Sequence, residues 1–263
     1  MSDLSLIQYA LIALIFIWSG FVRSGLGFGG AVLSLPFLLL VLDEPLVFLP
    51  IIAVHLLVFS SLTIWLNNRK QSPSQSGETG VAAVESTVDW QYLWRILAIM
   101  IVPKLIGVFG LITMPGDVLS AIIFVIVALY SVSYIINKPF RSGSKTVDAL
   151  FLMVGGYISG TSLIGAPLII AVAAQHLPKE KLRDTLFALW FILVLIKMGA
   201  FVWAGIDLQL IHHVWLLPCA AVGHVIGLRA HDRILRAETP VFFRVLGTVL
   251  LIVSSIGMVS VLG

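Results

Sequence analysis

Arg23-Ser24-Gly25-Leu26-Gly27-Phe28-Gly29-Gly30-Ala31, with an apolar run through Pro36 to Leu42 behind it, decides how the rest of this chain is read. It is a glycine-dense break set between two hydrophobic segments. Glycine lets backbone leave helical geometry without a Cβ clash and lets it approach a ligand closely. In lipid, broken backbone leaves N–H and C=O groups unpaired, and such breaks survive only where protein or a water-filled cavity covers them. The stretch therefore reads as half of a binding site at membrane depth. Ser159-Gly160-Thr161-Ser162-Leu163-Ile164-Gly165-Ala166 is a second copy, 135 residues on. At that offset Ser24, Gly25, Gly30 and Ala31 fall on Ser159, Gly160, Gly165 and Ala166, with Gly20 on Gly155 and Phe16 on Phe151. A repeat at about half the chain length points to two related halves.

Composition sets the compartment. Hydrophobic residues make up 59% of the 263, charged residues only 11%, and mean hydropathy is +1.08. A soluble domain carries roughly twice that charge, so the chain is expected to be an all-α integral membrane protein. The formal charge of +3 does not point to nucleic acid, because the basic residues gather at span ends. Cys219 is the only cysteine, which rules out an intramolecular disulfide, and it reads as a packed small residue. Asp3 is the only charge before the first apolar run, so no cleaved signal peptide is expected.

Apolar segments long enough to span fall at 45–66, 91–113, 117–137, 183–204, 208–229 and 240–262, and the two broken segments at 4–42 and 147–176. Topology turns on the broken segments. As single interrupted spans they would scatter Lys and Arg over both faces. As hairpins that enter and leave on one side, they sort the charges. Arg69, Lys70, Lys138, Arg141, Lys145, Lys179, Lys181, Arg183, Arg229, Arg233 and Arg236 then share one face, joined by Arg95 and Arg244. The other face holds the termini, Asp43-Glu44, 114–117 and 206–209, with no Lys or Arg. The positive-inside rule places that face, and both termini, outside. Residues 1–137 form an N-terminal repeat and 147–263 a C-terminal one, joined by a cytoplasmic linker at 138–146. Each is a hairpin plus three spans, an odd number, so the halves are inverted relative to each other, a transporter architecture. Loop 67–90, rich in Ser, Gln and Gly, reads as a polar linker. Trp65, Trp90, Trp94 and Trp203 fall at span ends, as interfacial anchors do.

Three cations are left inside: Arg23, Lys104 and Lys197. A cation at bilayer centre costs roughly 2.5–3.5 kcal/mol on insertion scales. No Asp or Glu lies deep in a span to offset it, so an anionic substrate is the simplest counter-charge. The bland alternatives are snorkelling for Lys197 and Lys104, and a clamp on hairpin carbonyls for Arg23. After each break a new half-helix begins, directing free N–H groups toward the midplane, where a small oxyanion is expected to bind between the two breaks. The candidate anion site is therefore Arg23, Ser24, Gly25, Gly27, Gly29, Gly30, Lys104, Ser159, Gly160, Thr161, Ser162, Gly165 and Lys197. Its glycines serve equally well for close helix packing, as do Gly107, Gly110, Gly223 and Gly227. His55 and His224 are candidates for a proton relay or for buried neutral histidines. No Gly-x-Ser-x-Gly, His-Glu-x-x-His, phosphate loop or clustered metal-ligand set is present. No enzyme chemistry, catalytic residue, cofactor or metal is expected; an intramembrane hydrolase or a non-transporting assembly subunit is the alternative.

Over nearly its whole length the chain resembles the TauE/SafE family of sulfite exporters and anion permeases. The resemblance rests on Gly25-Leu26-Gly27-Phe28-Gly29-Gly30 with Pro36, and on Gly160 to Pro167, a copy poorer in glycine and richer in hydroxyls. It implies outward movement of sulfite, thiosulfate or a sulfonate across a bacterial inner membrane. The partners expected are that anion, the lipid bilayer and, at most, further copies of the chain.

Overall fold

The computed structural model describes residues 4–26, 29–71, 86–138, 140–236 and 240–263. All regular structure among them is helical: α1 (Leu6–Leu26), α2 (Leu35–Val41), α3 (Pro45–Gln71), α4 (Trp90–Thr113), α5 (Gly116–Ile135), α6 (Lys145–Ser162), α7 (Ala166–His176), α8 (Lys179–Trp203), α9 (Leu210–Arg236) and α10 (Pro240–Leu262). Six of the seven helices long and apolar enough to cross a membrane match the six expected spans; the seventh is α1. Helices α3 and α9 continue past their expected apolar ends, to Gln71 and Arg236. Starts are marked by ordinary local chemistry. Asp89 accepts from Tyr92 N at 2.9 Å to cap α4, and Ser144 accepts from Val147 N at 3.3 Å to cap α6. Residues 72–85 of the polar linker, and Gly27 of the candidate site, lie outside the described residues.

Both broken segments fold back on themselves. Gln8 near the start of α1 donates from Nε2 to Val41 O at the end of α2 (3.1 Å), and Trp18 Nε1 donates to Leu33 O (3.2 Å). The second segment closes the same way, with His176 at the end of α7 bound to Asp148 in the first turn of α6 at 2.9 Å. Among the described residues each break holds one residue in the left-handed region, Gly29 (φ 83°) and Leu163 (φ 62°). At Gly29 the residue type suits the turn, while Leu163 adopts it at a cost of about 1–2 kcal/mol. Gly165 shows why the return arm can close, since a Cβ there would lie 2.1 Å from Gly155 O. The arms are unequal. With 21 residues α1 reaches about 31 Å, enough to cross a bilayer. Its partner α2 has 7 residues, and the turns at 30–34 make up much of the return. The break thus sits at the far end of α1 rather than half-way along an apolar stretch.

Packing between the halves dominates. The largest helix interfaces pair α1 with α9, α4 with α6, α5 with α10 and α3 with α8. Small residues set how close they come: Gly107 lies against Tyr157 O and Gly160, and Gly223 against Ile17 O, so helices approach at both as expected. At Gly110 the nearest atom is the flexible end of Met114, so that glycine serves no close approach. Trp65, Trp90, Trp94 and Trp203 are all exposed, as anchors must be.

Candidate functional site

The two breaks meet at one cavity. Arg23, Gly29 and Gly30 line it from the first segment, and Ser159, Leu163 and Ala166 from the second. Helix α8 closes it with Phe187, Trp190, Leu193 and Val194. About 40 Å³ of it is open to water. A single water needs roughly 10–15 Å³ on that measure, so there is room for a small polyatomic ion and not for a bulky solute.

The buried charge is mostly positive. Arg23 is 4% exposed, and Lys104 and Lys197 are 0% exposed. Among the described residues Asp184 is the one buried carboxylate, and it does not line the cavity. The Arg23 guanidinium stacks over Phe59, with Cζ 4.4 Å from the ring centroid. Its Nε and Nη2 have no hydrogen-bond partner among the described residues. A buried guanidinium with unmet donors is costly unless something ionic meets it. Lys104 stands behind Ser159, donating from Nζ to Ser159 O at 2.9 Å and Ser159 Oγ at 3.1 Å. It therefore orients a cavity-wall residue and does not line the wall. Lys197 Nζ has no partner among the described residues. It follows Leu193 and Val194 by one turn on α8. Complete burial of both ammoniums leaves no snorkelling geometry.

Other expected site residues are engaged elsewhere. Ser24 Oγ is bonded to His224 Nδ1. Thr161 Oγ1 and Ser162 Oγ donate to Ile158 O within their own helix, at 3.1 and 3.0 Å. Gly160 is spent on packing against Lys104 O and Gly107, and Gly165 on Gly155 O. Gly25, buried in the last turn of α1, faces Gly227. His55 sits edge-on to Phe16, Phe59 and His213, and Phe59 also contacts the His224 ring. His55 Nε2 and His224 Nε2 have no partner among the described residues. Among the described residues the Ser24–His224 pair has no third, orienting group of the kind a hydroxyl nucleophile uses. No group of three or more His, Cys, Asp or Glu that could hold a metal occurs among the described residues.

Phe59, stacked against Arg23, and the α8 residues on the cavity wall are neighbours of the candidate site that reading by charge and glycine missed. A signal was present: His55 and Phe59 stand four apart, and Phe187, Trp190, Val194 and Lys197 recur at helical spacing. Comparison with curated proteins and with solved structures gives no match. The family model described as "Sulfite exporter TauE/SafE" matches residues 11–258. The chain belongs to the TauE/SafE sulfite exporter family and is a membrane transporter, not an enzyme.

Proposed function

We infer that the protein exports a small oxyanion, sulfite before any bulkier sulfonate, through the cavity between the two breaks. The observation that carries this reading is a small cavity with Arg23 on its wall, Nε and Nη2 of that guanidinium unmet and no carboxylate lining it, among the described residues. Ser159, held by Lys104, supplies a hydroxyl on the opposite wall. Gly29 and Gly30 bring backbone to the same space.

The two halves are related as inverted repeats. Exchanging α1–α5 for α6–α10 leaves the main helix pairs unchanged: α1 with α9 becomes α6 with α4, while α3 with α8 and α5 with α10 map onto themselves. Glycine contacts set the register. Gly20 lies on Ala220 as Gly156 lies on Met100, and Gly227 meets Phe21 O as Gly107 meets Tyr157 O. That register is one residue longer in α1 and α6 than the sequence offset, so Gly20 answers to Gly156 and Arg23 to Ser159. The two helix residues on the cavity wall are thus counterparts, one cationic and one hydroxylic. Lys104 and His224 are counterparts too, each holding a serine in the facing hairpin. The termini lie outside and the linker at 138–146 inside, in a bacterial plasma membrane, and the halves rock about the bound anion.

An interior-negative potential is worth about 2.3 kcal/mol per charge per 100 mV, so a dianion leaves without another driving ion. Purified protein in sulfite-loaded liposomes should release sulfite faster as the interior is made more negative. Efflux no greater than from protein-free liposomes means that sulfite is not the substrate. Lys104→Met and Ser159→Ala should each slow efflux, about tenfold if one hydrogen bond to the anion is lost. The double variant should be no slower than the worse single one, because the two act as a unit. Additive losses would separate Lys104 from Ser159.

A further inference from the structure

The largest cavity described lies outside the anion site, where α7 of one half faces α5 of the other. Helix α2 packs against α5 and α10, whereas its counterpart α7 makes no comparable contact with either. A cleft of about 660 Å³ opens between α7, α5, the start of α10 and the linker. Its walls are apolar: Tyr134, Phe140, Ile170, Ala174 and Phe243 among them. They are pre-formed, because Phe140 is wedged between Tyr130 and Phe151 (centroids 5.7 and 6.1 Å), and Tyr134 rests on Phe243 (5.8 Å). The rim is polar and basic. Arg141 and Gln175 line it, and Lys138 and Lys145 flank it in the linker, all exposed. The rim segment is pinned, with Ser133 Oγ donating to Lys138 O at 2.7 Å. The nearest acid in sequence, Asp148, is already bound to His176.

We propose that this cleft is a binding site for one anionic phospholipid, its acyl chain lying along α7 and its phosphate at Arg141, Lys138 and Lys145. An apolar cleft in a protein surrounded by lipid is filled most readily by an acyl chain. A basic rim at the end of such a cleft selects an anionic headgroup over a zwitterionic one. The site is independent of the anion cavity, as it shares no lining residue with it.

The test is thermal unfolding of the detergent-purified full chain with dioleoyl phosphatidylglycerol, dioleoyl phosphatidylcholine or glycerol 3-phosphate. Phosphatidylglycerol should raise the midpoint by about 5 °C through mass action, with the zwitterionic lipid and the free headgroup each below about 1 °C. Combined Lys138→Gln, Arg141→Gln and Lys145→Gln, all at exposed positions, should remove the preference for the anionic lipid. Ala174→Trp, on the exposed α7 face, should block the chain and remove the shift. Equal shifts from both lipids in the wild type, or a full phosphatidylglycerol shift in both variants, would overturn the site. Sulfite efflux from the same preparations separates the two readings, since either can fail while the other stands.

Discussion

Arg23→Gln is expected to abolish sulfite efflux while leaving a protein that assembles and unfolds at an unchanged or higher temperature. The two halves of that result have different causes. Glutamine keeps donors on the cavity wall but removes the charge that meets the anion. Removing one member of a desolvated charge pair costs about 2–5 kcal/mol, which is roughly a 30-fold to several-thousand-fold loss of affinity. In the empty protein, by contrast, Arg23 is a buried cation whose Nε and Nη2 are unmet among the described residues. Its removal relieves a desolvation penalty and loses only the stacking on Phe59. An arginine present for structure would behave in the opposite way, with lower stability and normal transport. Arg23→Lys keeps the charge but not the planar fork, so intermediate transport is expected. Measuring efflux and unfolding on one preparation decides between the roles.

The largest expected effect on stability is at Gly223, on the seam between α1 and α9. A Cβ there would lie 1.8 Å from Ile17 O and 2.8 Å from Phe21 N, both backbone atoms of α1. No rotamer change can relieve that contact. Helices α1 and α9 would have to separate along the interface that seats Ser24 against His224. Overpacking of this kind costs about 3 kcal/mol or more, which for a chain of this size is a fall of about 6–12 °C in the unfolding midpoint. Gly223→Leu should give no folded protein. Gly199→Ala is the matched control, because a Cβ at that position in α8 meets nothing within 4 Å. It should leave the midpoint unchanged or raise it by the helix-propensity difference, up to about 1 kcal/mol. A similar fall in both variants would mean that the α1–α9 seam does not hold the fold.

The apolar runs fold into the helices they imply because length and hydropathy are local quantities. Six spans, two breaks with hydrophobic flanks, and three cations at positions that lipid would penalise are all visible residue by residue. The family likeness rests on the same local features. Partnership is not local. Thr161 and Ser162 look like anion donors until the helix register turns their hydroxyls onto Ile158 O. Lys104 looks like a ligand until the α4–α6 interface sets it behind Ser159. Phe59, Trp190 and Val194 carry no charge or motif, and they reach the cavity or its arginine because α3 and α8 pack face to face beside the breaks.

Which residues face the cavity depends on a helical turn of 100° per residue, so a register error of one position exchanges the wall for the packed interior. At the sequence offset Ser24 answers to Ser159; under the repeat relation proposed above, with the helices seated on their glycines, Arg23 does. The amino-acid order was enough to say that this chain lies in a membrane, breaks twice and buries positive charge. Assigning one arginine and one serine to the same cavity took the close contact of helices from opposite halves, a relation that no single segment of the chain contains.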